Sequence, residues 1–179
     1  EPTVGELNAT ATAGSSHHPS VHARRPTVED IVVPKSYVRV RELLKSSSPL
    51  VFVSGNAGTG KTTLIRYLQD KLDSRFAVLA PTGVAALNAG GSTIHSFFQF
   101  PPRMQDKSEI RAPADRRLYS RLDLLVIDEI SMVRADLLDR VDVFLRKCRE
   151  ARPFGGVKLL LLGDMFQLPP VVPKHEREI

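Results

Sequence analysis

One short glycine-rich segment constrains the fold of this chain more than any other feature of its sequence. Residues 55–62 match the template G-x-x-x-x-G-K-[ST] at every position, between an apolar run, Leu50–Ser54, and a helical pattern over residues 61–72. Glycines allow the backbone to turn so that several N–H groups point at one anion, next to the positive end of the following helix. The segment therefore predicts a strand, a phosphate-binding loop and a helix in succession.

The rest of the chain alternates between strand patterns and helix patterns. Short apolar runs predict further strands over residues 76–80, 122–127 and 157–162, and a long amphipathic helix is predicted over residues 135–149. Alternation of this kind is typical of a parallel sheet that is covered by helices on both faces. We therefore expect the α/β class, as a P-loop nucleoside triphosphatase (NTPase) fold.

Composition narrows the classes of function. The 179 residues are 42% hydrophobic and 25% charged, and no apolar run approaches the roughly 18 residues of a membrane span, so no membrane partner is expected. The net charge of +5 permits a nucleic-acid partner without requiring one. The single cysteine, Cys148, excludes an internal disulfide framework. It fits an intracellular location, cytoplasmic in a bacterium and nuclear or mitochondrial in a eukaryote.

The chain divides into three predicted segments. Residues 1–26 lack apolar periodicity and predict a disordered tail. Three histidines in this tail are more simply incidental than metal ligands: His17, His18 and His22. Residues 27–48 predict a helical lead-in, and residues 49–179 form the predicted ATPase domain.

The phosphate loop and the residue after it form the candidate nucleotide-binding set. These residues are Gly55, Asn56, Ala57, Gly58, Thr59, Gly60, Lys61, Thr62 and Thr63. We expect the Lys61 ammonium to reach the β- and γ-phosphates and the Thr62 hydroxyl to bind Mg²⁺, so the expected cofactors are ATP and Mg²⁺. A chance glycine-rich turn is the alternative, and the flanking strand and helix patterns argue against it.

Two acids, Asp128 and Glu129, follow the apolar run at residues 122–127. Because open α/β folds bind ligands at the carboxyl ends of their strands, both carboxyl groups are predicted to lie near the phosphate loop. We expect Asp128 to hold Mg²⁺ through water and Glu129 to orient and deprotonate the attacking water. The alternative is that the two acids cap a following helix.

Further motifs make the pattern specific. They lie at residues 80–88, 90–98, 128–133 and 163–171, and two shorter segments at 135–139 and 153–157 stand between the last two. Together with the phosphate loop, this set closely resembles the superfamily 1B DNA helicases of the petite integration frequency type, which are relatives of the RecD helicases. The resemblance covers residues 50–173.

The resemblance implies a RecA-like motor domain that couples ATP hydrolysis to 5′-to-3′ translocation on single-stranded DNA. Its implied setting is DNA repair, recombination or the maintenance of telomeres and genomes. It places four residues on or near the phosphate backbone of that strand: Pro81, Thr82, Gly83 and His95. It makes Gln167 a sensor of the γ-phosphate, so the implied catalytic set is Lys61, Glu129 and Gln167.

Several of these positions have a structural alternative. His95 can equally be a packed, hydrogen-bonded core residue, and Gln167 can be a polar turn residue. Phe97 and Phe98 can stack on bases, but core packing is favoured. Residues 99–121 carry six basic and three acidic side chains, so they are either a solvated surface loop or a loop that faces nucleic acid.

The predicted long helix carries structural predictions of its own. Cys148 lies on its apolar face, so it is expected to be buried. Two pairs at four-residue spacing are expected to be ordinary surface ion pairs: Asp136 with Arg140, and Asp142 with Arg146. Two adjacent glycines after the helix predict a turn into the last strand: Gly155 and Gly156.

The sequence departs from the family pattern in three respects. No glutamine precedes Gln69, so the family's upstream adenine-reading glutamine is absent. The second RecA-like domain, with the arginine that completes the site, is missing, so we expect a fragment with weak or no hydrolysis of its own. The strand-separating wedge can be represented only by residues 99–121. Two other functions stay open: a P-loop ATPase that does not act on DNA, and a non-enzymatic, nucleotide-gated binding module.

Overall fold

Five parallel strands form one sheet in this computed structural model, which describes residues 33–103 and 105–167. In chain order the strands are β1 (Leu50–Ser54), β2 (Phe76–Ala80), β3 (Ser92–Thr93), β4 (Leu124–Ile127) and β5 (Lys158–Gly163). Their order across the sheet is β1-β5-β4-β2-β3, and every neighbouring pair is parallel. The predicted α/β class is therefore confirmed. The predicted tail, with its three histidines, lies outside the described residues.

Six α-helices connect or flank these strands within the described residues. They are α1 (Lys35–Lys45), α2 (Lys61–Lys71), α3 (Gly83–Ala89), α4 (Ile94–Phe98), α5 (Arg117–Ser120) and α6 (Ala135–Cys148). The helix patterns over residues 27–48, 61–72 and 135–149 correspond to α1, α2 and α6, although residues 27–32 lie outside the described part. The sequence does not predict the short elements α3, α4, α5 and β3, because so few residues leave no periodicity to detect. None of the described helices is long and apolar enough to cross a bilayer.

The two central strands are buried on both sides, which explains their uninterrupted apolar sequences. All four residues of β4 are buried, and so are residues 159–163 of β5. Side chains alternate between the faces of a strand, so Leu159 and Leu161 pack with α4 and α6, whereas Leu160 and Leu162 pack with α1 and α2. Helices therefore cover both faces of the sheet, as predicted.

The segment 99–121 is anchored to the domain at intervals. Phe100, Ile110 and Tyr119 are buried among the residues that pack on α6, and the Lys147 Nζ donates to the Ile110 carbonyl at 2.6 Å. Several of its basic side chains make ion pairs at 2.7–2.8 Å: Arg103 with Glu109, Lys107 with Asp139, and Arg117 with Asp115. The segment is therefore a packed part of the domain, and these cations are paired within the protein.

Phe97 and Phe98 belong to an aromatic cluster of the core. Phe98 is 1% exposed, and its ring centroid lies 5.2 Å from that of Phe144 and 5.5 Å from that of Phe100. Phe97 is half-buried and lies edge-on to Phe98 and Tyr119, with centroid distances of 5.0 and 5.6 Å. The structure shows the core packing that the sequence favours for both residues.

The predicted surface ion pair between Asp136 and Arg140 is wrong. Arg140 is 4% exposed, its guanidinium lies 4.6 Å from the centroid of the Phe100 ring, and its Nη2 donates to the Gln105 Oε1 at 3.0 Å. The Asp136 carboxylate accepts instead from the Nε of Arg134 at 2.7 Å. The reason is that the segment after α4 folds over this side of α6, which spacing along the helix alone does not reveal.

The other predictions for α6 are confirmed. The Arg146 Nε lies 2.8 Å from the Asp142 carboxylate, and Cys148 is buried. The predicted glycine turn is also present. Gly155 and Gly156 have φ angles of +62° and +76° in the 3₁₀ turn that leads into β5.

Gly91 allows the backbone that leads into β3 to approach β2 at very short range. A Cβ at this position would lie 2.0 Å from the carbonyl oxygen of Val78, which is a backbone atom of β2. At Gly83, on the exposed first turn of α3, an added Cβ meets nothing within 4 Å. The two glycines therefore form a matched pair with opposite steric surroundings.

We expect Gly91→Ala to lower the free energy of unfolding by about 2–3 kcal/mol, because neither β2 nor the approach to β3 can move aside without disturbing their pairing. Urea denaturation of the chain measures the change. Gly83→Ala is the control and should be neutral or stabilising by up to about 1 kcal/mol, since alanine favours the helix. Equal losses in both variants, or none in Gly91→Ala, would contradict the close approach of Gly91 to β2.

Candidate functional site

The phosphate loop, residues 55–62, joins the end of β1 to the start of α2. Gly55 is the first residue of the loop, and its N–H donates to the Gly163 carbonyl at the end of β5, with an N–O distance of 3.1 Å. Gly58 and Gly60 have φ angles of +78° and +92°, a region that glycine adopts without strain. The loop therefore turns tightly over the N-terminus of α2, whose first N–H groups have no helical acceptor.

Lys61 is the first residue of α2, and its side chain folds over the loop. Its Nζ donates to the carbonyl oxygens of Gly55 at 2.6 Å and Asn56 at 3.1 Å, so the ammonium lies inside the turn. The same charge acts to lower the pKa of Asp128 at the end of β4. The loop thus carries a positive charge towards the acid pair.

Asp128 is the first residue after β4 and is 5% exposed. Its backbone N–H donates to the Leu79 carbonyl at 2.8 Å, and its Oδ1 accepts the Glu129 N–H at 2.9 Å. Burial raises the pKa of Asp128 above the ordinary aspartate value, while the Glu129 N–H and the Lys61 ammonium oppose this shift. The result is a partly desolvated carboxylate held in a fixed orientation next to a cation.

Glu129 follows in a conformation that is uncommon for its residue type. Its φ angle is +51°, and it precedes the 3₁₀ turn Ile130–Met132 without making a side-chain capping bond. Its Oε2 is buried and has no hydrogen-bond partner among the described residues. The capping alternative is therefore not what the structure shows for Glu129. A buried, unpartnered carboxylate oxygen and a strained backbone are both features that persist at functional sites.

The oxygen donors at this edge of the sheet fit Mg²⁺. The Thr62 hydroxyl, in the first turn of α2, and the Asp128 carboxylate are hard donors, and Mg²⁺ binds proteins through few such ligands while retaining water. Within residues 33–103 and 105–167, no three His, Cys, Asp or Glu side chains cluster into a larger metal cage. The site could therefore hold a magnesium–phosphate group through the Thr62 hydroxyl and, by way of water, through the Asp128 carboxylate.

Gln167 lies in a turn directly after β5. The buried Asp164 shapes this turn, because its Oδ1 accepts the Phe166 N–H and its carbonyl accepts the Gln167 N–H, both at 3.1 Å. Gln167 itself is exposed, and its neighbour Phe166 is 93% exposed. The motif at residues 163–171 did not single out Phe166, because nothing in the local sequence distinguishes an exposed phenylalanine from a buried one.

The four candidate DNA-contacting residues follow β2 and β3. Pro81 is half-buried, Gly83 begins α3, and the Thr82 hydroxyl oxygen accepts the Ala85 N–H at 3.2 Å as the cap of that helix. His95 is half-buried on α4, and burial and the Arg140 charge lower its pKa, against a smaller opposing effect of an aspartate. His95 is therefore largely uncharged at neutral pH.

A large pocket lies away from the phosphate loop and the acid pair. It has a volume of about 940 Å³ and is lined by the end of α2, the start of β2 and α5, with Arg75, Phe76, Arg117, Leu118 and Arg121 among its walls. Phe97 also lines it, but none of the candidate catalytic, nucleotide-binding, metal-binding or DNA-contacting residues does. A search for the site by pocket shape alone would therefore select a different part of the domain from the edge of the sheet where Lys61, Asp128 and Glu129 lie.

Tyr37 is the site residue that sequence reasoning missed. It lies on the predicted lead-in helix, and it is buried on α1 together with Val40 and Leu44. The structure adds that the Tyr37 hydroxyl donates to the Gly60 carbonyl at 2.7 Å. The one signal in the sequence is that an apolar position of this helix holds a tyrosine and not an aliphatic residue. A buried tyrosine hydroxyl usually has a hydrogen-bond partner, so a polar contact could have been expected there.

The fold and the site define a P-loop NTPase domain, because a parallel sheet carries a glycine loop, its lysine and a buried acid at its carboxyl edge. A family model described as PIF1-like helicase matches residues 35–179, and the chain belongs to this family. The resemblance stated from the motifs is thereby confirmed.

Relatives and solved structures agree with this assignment. The chain is 39% identical over 187 residues to "ATP-dependent DNA helicase PIF1" of Emericella nidulans, covering 97% of this chain and 24% of the relative. It is 41% identical over 138 residues to the human protein of that name, covering 74% and 21%. The chain thus spans about a quarter of the length of these curated relatives.

A crystal structure of a Pif1 helicase from Bacteroides in complex with ADP-AlF3 and single-stranded DNA matches the fold. Its TM-score is 0.74 at 43% identity, covering 83% of this chain and 36% of that one. The predicted RecA-like P-loop fold is confirmed by this similarity.

We expect Asp128→Asn to raise the free energy of unfolding by about 1 kcal/mol near pH 8, because asparagine keeps an acceptor for the Glu129 N–H and removes a buried charge. The pKa of Asp128 is higher in the folded than in the unfolded state, so the unsubstituted chain loses stability as pH rises between the two values. The gain of the variant should therefore vanish in acid. Urea denaturation across pH measures it.

Asp123→Asn is the matched control. Asp123 is exposed and lies 3.1 Å from the Arg75 Nε, and its hydrogen bonds with Arg75 lower its pKa. Removing this charge should destabilise the chain at neutral pH, by at most about 1 kcal/mol because solvent screens the pair. If both substitutions change stability in the same direction, burial is not what governs the Asp128 carboxyl.

Proposed function

We propose that this chain is the ATP-binding motor domain of an ATP-dependent DNA helicase. In this proposal it works with a second RecA-like domain of its parent protein to move 5′-to-3′ along single-stranded DNA. The observation that carries the proposal is the meeting of the Lys61 ammonium, the buried Asp128 carboxylate and the unpartnered Glu129 Oε2 at one edge of the sheet. Relatives named as ATP-dependent DNA helicases support the assignment.

The phosphate loop binds the β- and γ-phosphates of ATP. Its N–H groups lie at the positive end of α2, and Lys61 exchanges the carbonyls of Gly55 and Asn56 for phosphate oxygens. The exchange is favourable because hydrogen bonds between a cation and an anion are stronger than those to a neutral carbonyl. Thr62, and Asp128 through water, would hold Mg²⁺, which would neutralise charge on the phosphate oxygens.

Glu129 orients the attacking water and accepts its proton. Its buried Oε2 has an unused acceptor site, so a water molecule satisfies the carboxylate while becoming aligned for attack. Gln167 is exposed at the same edge of the sheet, where it senses the γ-phosphate. An arginine from the second domain completes the charge stabilisation, as arginine fingers do in related NTPases.

Pro81, Thr82, Gly83 and His95 bind the DNA strand. The Thr82 hydroxyl accepts the Ala85 N–H, which leaves its own hydrogen available to a phosphate oxygen. Because His95 has a lowered pKa, it contributes a hydrogen bond and little charge at neutral pH. Structures of Bacteroides Pif1 with single-stranded DNA support this partner.

The proposed DNA substrate places this activity inside the cell. The matched relatives include a human and a bacterial helicase, from Homo sapiens and Bdellovibrio bacteriovorus. We accordingly propose action on cytoplasmic DNA in a bacterium, or on nuclear or mitochondrial DNA in a eukaryote, in repair, recombination or genome maintenance.

The test is DNA-stimulated ATP hydrolysis by the full reading frame that contains this chain, compared with two variants. Single-stranded DNA should stimulate the unsubstituted protein. Lys61→Ala should lose both Mg-ATP binding and hydrolysis. Glu129→Gln should keep Mg-ATP binding but slow hydrolysis by about 10²–10⁴-fold, because it removes only the group that accepts the proton.

The control for the glutamate substitution is Glu150→Gln, since Glu150 is an exposed partner of Arg152 at 3.2 Å and should leave hydrolysis unchanged. The isolated chain should hydrolyse ATP about 10³–10⁵-fold more slowly than the full reading frame, because it lacks the second domain's arginine. Equal, DNA-independent hydrolysis by both would favour an ATPase that does not act on DNA. Binding without hydrolysis by the full protein would favour a nucleotide-gated binding module.

A further inference from the structure

A tyrosine outside the phosphate loop holds one of the loop's peptide groups. Tyr37 lies on α1 and is 7% exposed, with its ring centroid 5.7 Å from that of Tyr67 on α2. Its hydroxyl donates to the Gly60 carbonyl at 2.7 Å. The same carbonyl accepts the Leu64 N–H at 2.8 Å, the first helical hydrogen bond of α2. Two donors from different helices therefore fix this carbonyl.

Fixing the Gly60 carbonyl also fixes the N–H of Lys61. The peptide unit between Gly60 and Lys61 is planar and trans, so its C=O and N–H point in opposite directions. The Lys61 N–H is one of the first donors of α2, which have no acceptor within the helix and are therefore available to an anion. A hydrogen bond accepted by the carbonyl also polarises the peptide and strengthens its N–H as a donor.

The Tyr37 hydroxyl packs so closely against Gly60 that a side chain at residue 60 would collide with it. Gly60 has a φ angle of +92°, and a Cβ at this position would lie 2.4 Å from the Tyr37 hydroxyl oxygen. Burial raises the pKa of Tyr37, so the hydroxyl keeps its proton and remains a donor throughout the neutral range.

We propose that Tyr37 is a positioning residue for the phosphates of a bound nucleoside di- or triphosphate. It orients the peptide between Gly60 and Lys61 so that the Lys61 N–H faces the phosphate group, although Tyr37 itself does not touch the ligand. The inference rests on the proposed function and adds α1 to the nucleotide site. It predicts that loss of one hydroxyl on α1 weakens phosphate binding.

The test measures the Kd of the chain for Mg-ADP and for magnesium tripolyphosphate by calorimetry, in Tyr37→Phe and in Tyr119→Phe. Phenylalanine keeps the ring packed, so Tyr37→Phe removes only the hydroxyl. Tyr119→Phe is the matched control, because the buried Tyr119 also donates its hydroxyl to a backbone carbonyl, that of Phe97 at 2.9 Å, on the opposite face of the sheet. Thermal melting of both variants reports their effect on folding.

We expect Tyr37→Phe to weaken binding of both ligands by about 3- to 10-fold and Tyr119→Phe to leave both within about twofold, while both lower the melting temperature similarly. Three results would overturn the inference alone: unchanged binding in Tyr37→Phe, equal weakening in the two variants, or weakening for Mg-ADP without weakening for tripolyphosphate. If the unsubstituted chain binds neither ligand, the proposed function fails and the inference fails with it.

Discussion

The parallel register of β1, β5 and β4 is the constraint on which the rest of the site depends. Ser54 at the end of β1 pairs with Gly163 at the end of β5, and the hydrogen bond from the Gly55 N–H to the Gly163 carbonyl extends this pairing into the phosphate loop. On the other side of β5, Ile127 pairs with Leu161, so Asp128 emerges at nearly the same level. Three segments distant in sequence therefore end together.

Close packing at this edge joins the last motif to the acid pair. A Cβ at Gly163 would lie 2.7 Å from the side chain of Ile130 and 3.3 Å from its backbone nitrogen. The turn that carries Glu129 can therefore lie directly against the end of β5, which leads into the turn of Gln167. A displacement of either segment therefore also moves the other, because closely packed interiors transmit small displacements.

The groups that suit this edge for chemistry are unfavourable for folding. The Asp128 carboxyl is desolvated, the Glu129 backbone is left-handed, and the Glu129 Oε2 has no partner in the described part of the chain. Each of these features costs free energy, and the buried apolar layers on both faces of the sheet offset that cost. Stability and site chemistry thus oppose each other at the same residues.

The elements with strong periodicity and the positions of the motifs could be predicted from the sequence. The strands around the phosphate loop and the acid pair could be predicted because buried parallel strands are continuous apolar runs. The environment of Arg140 could not be predicted, because a residue on the polar face of a helix is buried only when another segment folds over it. The contact of Tyr37 with Gly60 joins residues on two different elements, so no local pattern contains it.

Amide hydrogen exchange of the chain, with and without a slowly hydrolysed Mg-ATP analogue, tests the central claim most directly. The claim is that the carboxyl edge of the sheet, and not the pocket between α2, β2 and α5, is the nucleotide site. The account predicts slower exchange in residues 55–63 and 128–132, with no change in residues 117–122, a segment that contributes four residues to the pocket lining. Protection confined to residues 117–122, with the phosphate loop unaffected, would contradict it.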